Sequence, residues 1–163
     1  MAKRTRGDGG TPATVALTAA GIAFTPRPYA HDPAAASYGL EAAEALGIDS
    51  GRVFKTLLVE GDKGLAVGIV PVDRQLDLKS LATALGVKRV QMADPRAAER
   101  VTGYVVGGIS PIGQKRRLPT VLDDSADAYE TVLVSGGRRG FDIELSPADL
   151  RVATDATLAP IAR

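Results

Sequence analysis

The sequence predicts a single α+β domain, a mixed sheet or small barrel with short helices packed outside it. Three observations lead there. Strand-like runs outnumber helical ones, and helices interrupt them irregularly rather than one per strand, which argues against a doubly wound sheet. At 163 residues the chain can bury a core of its own without staples. Two glycine pairs, Gly107-Gly108 and Gly136-Gly137, stand beside apolar strand-like residues, where strands end and pockets form.

The elements follow in order. Residues 1–10 (MAKRTRGDGG) are basic and glycine-rich without apolar periodicity, and read as a flexible tail ahead of a domain at 11–163. Thr11-Pro12 supplies an N-cap with proline at the first helical position, and Gly21 ends that helix. Ile22 to Tyr29 is extended, and Pro26 and Pro28 suit it to a sheet edge. Tyr38 to Leu46 is helical and closes at Gly47. Val53 to Glu60 and Leu65 to Val72 form a hairpin across Gly61-Asp62-Lys63-Gly64. Asp77 caps a helix over Leu78 to Leu85, and Asp94-Pro95 starts another that stops before Gly103. Strands are expected at Gly103 to Val106, Thr120 to Asp123, Thr131 to Ser135 and Phe141 to Leu145. Ser146-Pro147 then opens a last helix with Asp149 in its first turn.

Composition removes several function classes. The chain has no cysteine, so it has no disulfide, thiol nucleophile or thiolate metal site. Its one histidine, His31, argues against a multi-histidine metal centre. Apolar stretches fall well short of the roughly 20 residues of a membrane span. No secretory h-region follows the basic start, so a cytoplasmic protein is expected. With 20 basic and 19 acidic residues the net charge is +1, weak for a protein that grips a long duplex. Local basic groups remain, Lys88-Arg89, Lys115-Arg116-Arg117 and Arg138-Arg139, which either gather into one patch or lie on three separate solvated faces, as charge alone favours. The last two groups follow the glycine-rich runs closely, and permissive backbone beside fixed positive charge suits a phosphate-bearing ligand.

Four places could carry chemistry. Lys55 lies within the apolar run Val53 to Val59; it either lines a pocket and needs a partner, or faces water with its stem on the sheet. Tyr29-Ala30-His31-Asp32-Pro33 gathers a hydroxyl, an imidazole and a carboxylate where a strand gives way to a loop. That cluster is either an acid–base site or a loop-fixing hydrogen bond. Asp142 and Glu144 share one face of an alternating strand, turned either to water or to a pocket where they could hold an ammonium group. The glycine runs are the fourth. The dinucleotide GxGxxG fingerprint and the P-loop are both absent, and no serine completes a recognisable triad.

Taken in series, these residues resemble the YbaK-type Cys-tRNA(Pro) deacylases, relatives of the editing domain inserted in bacterial prolyl-tRNA synthetases. The resemblance rests on Tyr29-Ala30-His31-Asp32-Pro33, Phe54-Lys55-Thr56-Leu57-Leu58-Val59 and Met92-Ala93-Asp94-Pro95. It continues through Thr102-Gly103-Tyr104, Gly107-Gly108-Ile109-Ser110-Pro111, Gly113-Gln114-Lys115, and Ser135-Gly136-Gly137 with Arg139-Gly140. It runs in order, at near-constant spacing, from about Thr11 to the C-terminus.

The resemblance implies a six- or seven-stranded, barrel-like sheet surrounded by helices, and no metal or organic cofactor. It implies removal of cysteine from mischarged proline tRNA, with the aminoacylated tRNA 3′ end as partner and prolyl-tRNA synthetase as a second. Lys55 matches the family's pocket lysine, and Tyr29, Gly107, Ser135 and Asp142 match positions around it; Phe54 and His31 join the substrate-binding set. Lys55 would orient the terminal nucleotide or stabilise an oxyanion, with Gly107 and Gly108 as amide donors. Tyr29 and Ser135 would position the substrate and Asp142 would take its α-ammonium. Lys115, Arg116, Arg138 and Arg139 would bind tRNA. Family chemistry further implies that the substrate's own thiol attacks the ester and leaves as a cyclic thiolactone, so that the protein needs no nucleophile. Water-driven deacylation of another species such as Ala-tRNA(Pro), a non-catalytic tRNA- or synthetase-binding module, and a cofactor enzyme unrelated to tRNA stay as alternatives. Two departures from the family pattern are Arg27, where a histidine is common, and Arg138 in place of a lysine.

Overall fold

Thr11 and Pro12 start the first helix by complementary means. In the computed structural model, which describes residues 10–35 and 37–163, the Thr11 hydroxyl accepts from the Thr14 amide, while Pro12 supplies a preset φ and lacks an amide needing a partner. Helix α1 spans Pro12–Ala19, and Gly21 follows its end. The expected tail at 1–10 lies outside the described residues, apart from the exposed Gly10. Helices α2 (Tyr38–Leu46), α3 (Leu78–Leu85), α4 (Pro95–Thr102) and α5 (Pro147–Thr154) are capped by the side chains of Ser37, Asp77, Asp94 and Ser146. Their positions agree with the sequence reading because cap chemistry is local.

The strands are β1 (Thr25–Pro28), β2 (Phe54–Gly61), β3 (Gly64–Pro71), β4 (Val90–Met92), β5 (Thr120–Asp123), β6 (Val132–Arg138), β7 (Phe141–Leu145) and β8 (Thr157–Ala159). They form two sheets, β1-β7-β6 and β4-β2-β3-β5-β8. The second is mixed: β2 is antiparallel to β3 and β4, whereas β5 runs parallel to β3 and β8. The expected α+β class holds, and the expected barrel-like closure does not. A closed barrel needs every edge paired. Here Pro26 and Pro28 take amides out of edge strand β1. β4 covers only the Val59–Gly61 end of β2, and among the described residues the backbones of the two sheets are joined by one parallel bridge, between Val53 and Leu133.

Two further differences have local causes. The segment expected as a strand at Gly103 to Val106 is a turn: Gly103 caps α4 at φ +83° and the Gly108 amide donates to Val105 O. Strands β4 and β8, three residues each, are too short to show alternation and were not expected.

The main core lies under β2, β3, β6 and β7, where Phe54, Leu58, Ile69, Val134, Phe141 and Ile143 meet Ala13 and Leu17 of α1 and Leu150 of α5. Each fully buried side chain of this size contributes about 1.5–3 kcal/mol. A second cluster packs Leu81 of α3 on Val59, Val70 and Val121. A third packs Ala42 and Ala43 of α2 on Val53, Val72 and Leu133. That third cluster fastens α2 over the junction of the two sheets, and the site opens beside it.

Candidate functional site

A cleft of about 380 Å³ occupies the junction. Strand β2 supplies Phe54, Lys55 and Thr56, β6 supplies Ser135, and β7 supplies Asp142. Tyr29 comes from the end of β1 and Tyr38 from the start of α2. Val106, Gly107 and Ile109 come from the loop after α4, and Met92, Ala93 and Pro95 are also in the lining. Of the residues singled out in sequence, Lys55, Phe54, Tyr29, Ser135, Asp142 and Gly107 are therefore brought together.

Pairing register explains two of them. Ser135 lies directly across β6–β7 from Asp142, so both project from one face. The Ser135 hydroxyl oxygen accepts from the Gly137 amide at 3.2 Å, which leaves its proton free to donate. Asp142 is 6% exposed and has no hydrogen-bond or ion-pair partner among the described residues. Burial pushes its carboxyl up to about 7. Burial, and then the Asp142 charge, push the Tyr29 phenol up to about 12, so it stays a neutral donor at physiological pH.

Lys55 is half-buried in the wall, and among the described residues no carboxylate pairs with it. Desolvation lowers its pKa and the Asp73 charge partly opposes that fall. The pocket alternative for this lysine is thus the one observed. Phe54 is 2% exposed and serves the core and the cleft together.

The loop carrying Gly107 has no regular structure and is held by side chains. Tyr104 Oη donates to Ile112 O at 2.6 Å, and Glu99 accepts from the Val106 amide at 2.8 Å. Arg139 donates to Val106 O from Nε at 3.0 Å and Nη2 at 2.6 Å, with its guanidinium 5.0 Å from the centre of the Tyr38 ring. Gly107 has φ +91°, and a Cβ there would come within 2.7 Å of Arg139 Nε and 2.9 Å of the Tyr38 ring. Only glycine fits both demands. The peptide before Gly107 is planar and trans, so its N–H points opposite the Val106 carbonyl that Arg139 holds. That amide has no partner among the described residues.

Other expected residues lie elsewhere. Gly108 is buried behind the loop, does not line the cleft, and gives its amide to Val105 O at 2.9 Å. His31 also lies outside the lining; its Nδ1 is 2.9 Å from Glu41 Oε1 and its ring is tilted against Tyr38. The Asp32 amide and His31 hold the Glu41 carboxyl below its usual range. This pair joins α2 to the chain leaving β1. Arg138 is exposed with its guanidinium 4.4 Å from the centre of the Phe141 ring; Lys115 and Arg116 are exposed beyond α4, with their amides on Thr102 O and Val101 O.

Two cleft residues escaped the sequence reading. Thr56 has a buried hydroxyl oxygen without a hydrogen-bond partner. Strand alternation sets it on the face opposite Lys55, which reads as core. Tyr38 looked only like the first residue of a helix. Among the described residues no group of three or more His, Cys, Asp or Glu side chains could hold a metal ion, and no helix is long and apolar enough to cross a membrane.

With a free amide, an unpaired ammonium and an unpaired carboxyl in one cleft, the site can bind a ligand that carries both an anion and a cation. The aminoacyl-tRNA editing domain family matches residues 32–153. The candidate Cys-tRNA(Pro)/Cys-tRNA(Cys) deacylase EbsC of Enterococcus faecalis is 46% identical over 120 residues, 73% of either chain. The proline–tRNA ligase of Moorella thermoacetica is 34% identical over 103 residues, 63% of this chain but 18% of the ligase. The crystal structure of a candidate trans-editing enzyme for prolyl-tRNA synthetase superposes with a TM-score of 0.80 at 27% identity, covering 93% of this chain and 95% of that one. By sequence and by fold, this chain belongs to the aminoacyl-tRNA editing domain family.

Proposed function

We propose that this protein is an aminoacyl-tRNA deacylase that removes cysteine from mischarged Cys-tRNA(Pro). The observation that carries this reading is the buried, unpaired Asp142 carboxyl sharing one cleft with Lys55 and the free Gly107 amide. An aminoacyl ester presents the matching groups: an α-ammonium, a carbonyl that becomes an oxyanion, and a phosphate-bearing nucleotide. Asp142 takes the ammonium. Gly107 N–H donates to the developing oxyanion. Lys55 sits near the terminal nucleotide or the oxyanion, and Tyr29 and Ser135 orient the substrate.

In the cleavage step the substrate thiol loses its proton and its sulfur bonds to the ester carbon. The bond from that carbon to the 3′ oxygen breaks, and the proton ends on the 3′ hydroxyl. A cysteine thiol is a few per cent thiolate at neutral pH, whereas a serine hydroxyl is not ionised, so reactivity adds to the small selectivity that size alone gives. Gly108 serves the loop rather than the oxyanion, and His31 supports the substrate wall through Glu41. Lys115, Arg116 and Arg138 attract the tRNA backbone, and Arg139 adds charge while holding the loop. Prolyl-tRNA synthetase is the proposed partner, and the cytoplasm the place of work.

The deciding experiment presents cysteinyl-, alanyl- and seryl-tRNA(Pro) to the purified protein and identifies the released product. Cysteinyl-specific release of thiolactone is expected. Turnover of alanyl-tRNA to the free acid assigns the cleft to a water mechanism, and binding without release on any substrate assigns it to a non-catalytic module.

A further inference from the structure

Two carboxylates on one face of β7 have opposite surroundings. Glu144 is saturated: it accepts from Arg27 Nε at 2.8 Å, from Arg27 Nη2 at 2.6 Å, from Arg52 Nη2 at 2.8 Å and from the Thr131 hydroxyl. Asp142, two residues earlier and more deeply buried, has no partner among the described residues. The strand register makes this unexpected. Arg27 of β1 lies directly across from Asp142, while the residue across from Glu144 is Thr25. Directly opposed side chains share a face with Cβ atoms about 5 Å apart, and opposite charges in that relation ordinarily pair. Arg27 instead reaches diagonally along the strand.

Glu144 is well placed to draw it there. Arg52 also donates from Nε to Thr131 O at 3.1 Å and from Nη2 to Thr131 Oγ1 at 2.8 Å, so the acceptor is fixed before Arg27 arrives. The side chains of Arg27 and Glu144 are 42% and 12% exposed, so the pair closes the outer side of the sheet while Asp142 stays inside.

We propose that Glu144 is a positioning residue that holds the Arg27 guanidinium off Asp142 and thereby keeps the Asp142 carboxyl free for a cationic group of the ligand. This rests on the reading of Asp142 as the seat of the substrate ammonium. Without Glu144, Arg27, directly across the strand pair from Asp142, competes with the ligand for the same oxygen atoms.

Glu144→Gln keeps the side chain's shape and removes the charge that captures Arg27. For cysteinyl-tRNA(Pro), KM is expected to rise about tenfold to a hundredfold, the range of a lost charged hydrogen bond, with kcat nearly unchanged. Arg27→Ala alone should leave KM near wild type, and Arg27→Ala with Glu144→Gln should restore it. A purely structural Glu144 gives no such rescue. A wild-type KM in Glu144→Gln, or an unrescued double variant, overturns the inference, as does a double variant that fails to fold alongside an unfolded single one. Asp142→Asn separates the two levels. If it abolishes tight substrate binding while Glu144→Gln does not, only the positioning role falls. If it leaves KM at wild type, the reading of Asp142 falls with it.

Discussion

Arg139 Nη2 lies 2.6 Å from the carbonyl oxygen of Val106, and this contact sets the direction of the next peptide N–H, at Gly107. A residue expected from sequence to touch tRNA thus also holds the backbone of the cleft. Arg139→Ala should lower kcat about tenfold or more through a misaligned oxyanion donor, with KM changed far less. Single-turnover deacylation measures it; an effect confined to KM would assign Arg139 to tRNA contact alone.

Lys55→Ala is expected to reduce deacylation at least about a hundredfold. The fold should survive, because desolvation already penalises the charged lysine in the wall and no ion pair is lost. Turnover and melting temperature, taken together, decide it. Unchanged turnover removes Lys55 from the site.

Asp142 gives a pH signature. Its folded-state pKa is raised from 3.8 to about 7, so the folded protein binds the extra proton between those values. Its contribution to stability is fully present below about pH 4 and is lost as pH rises through 7. Asp142→Asn should therefore be more stable than wild type at pH 8, by about a few kcal/mol, and melt higher there, with the gap closing toward pH 4. Parallel melting curves from pH 4 to 8 would show that the carboxyl is not buried unpaired.

The two glycines of the loop should fail differently. In Gly107→Ala the new methyl meets the end of Arg139 and the Tyr38 ring, side chains that can shift, although φ +91° remains strained for alanine. In Gly108→Ala it meets the Arg138 backbone at 2.7 Å, which cannot easily yield. Gly107→Ala should lose activity with modest destabilisation, and Gly108→Ala should be the less stable of the two by thermal melting.

Replacing Lys115, Arg116 or Arg138 with alanine should weaken tRNA binding without changing the chemical step. Each phosphate contact removed should lower the slope of log affinity against log salt by about one. A slope that does not respond assigns these exposed side chains to solvent.

The helices were legible because each carries its own start and stop: Thr11-Pro12, Asp77, Asp94-Pro95 and Ser146-Pro147 all cap as read. The sheet arrangement was less so, since whether edges close depends on partners far apart in sequence, and a single bridge at Val53 was not foreseeable. Within the site, Lys55 and Asp142 stood out through residue type on strands, and Ser135 through the family resemblance. Thr56 did not, because a threonine on a core-facing strand position is ordinary until its hydroxyl is seen to lack a partner. The capture of Arg27 by Glu144 was hidden for a related reason: alternation puts three charged residues on one face without saying which two will pair.

Among the described residues a single backbone bridge, Val53 to Leu133, links the two sheets. The ammonium of Lys55 rides on one slab of hydrogen-bonded strands and the carboxyl of Asp142 on the other. A small rotation about that seam alters the span between the two charges while every ladder within each slab stays intact. On the proposed reading, repacking Val53, Leu133 or the α2 alanines above them would alter the length of cargo accepted while leaving the reacting groups themselves untouched.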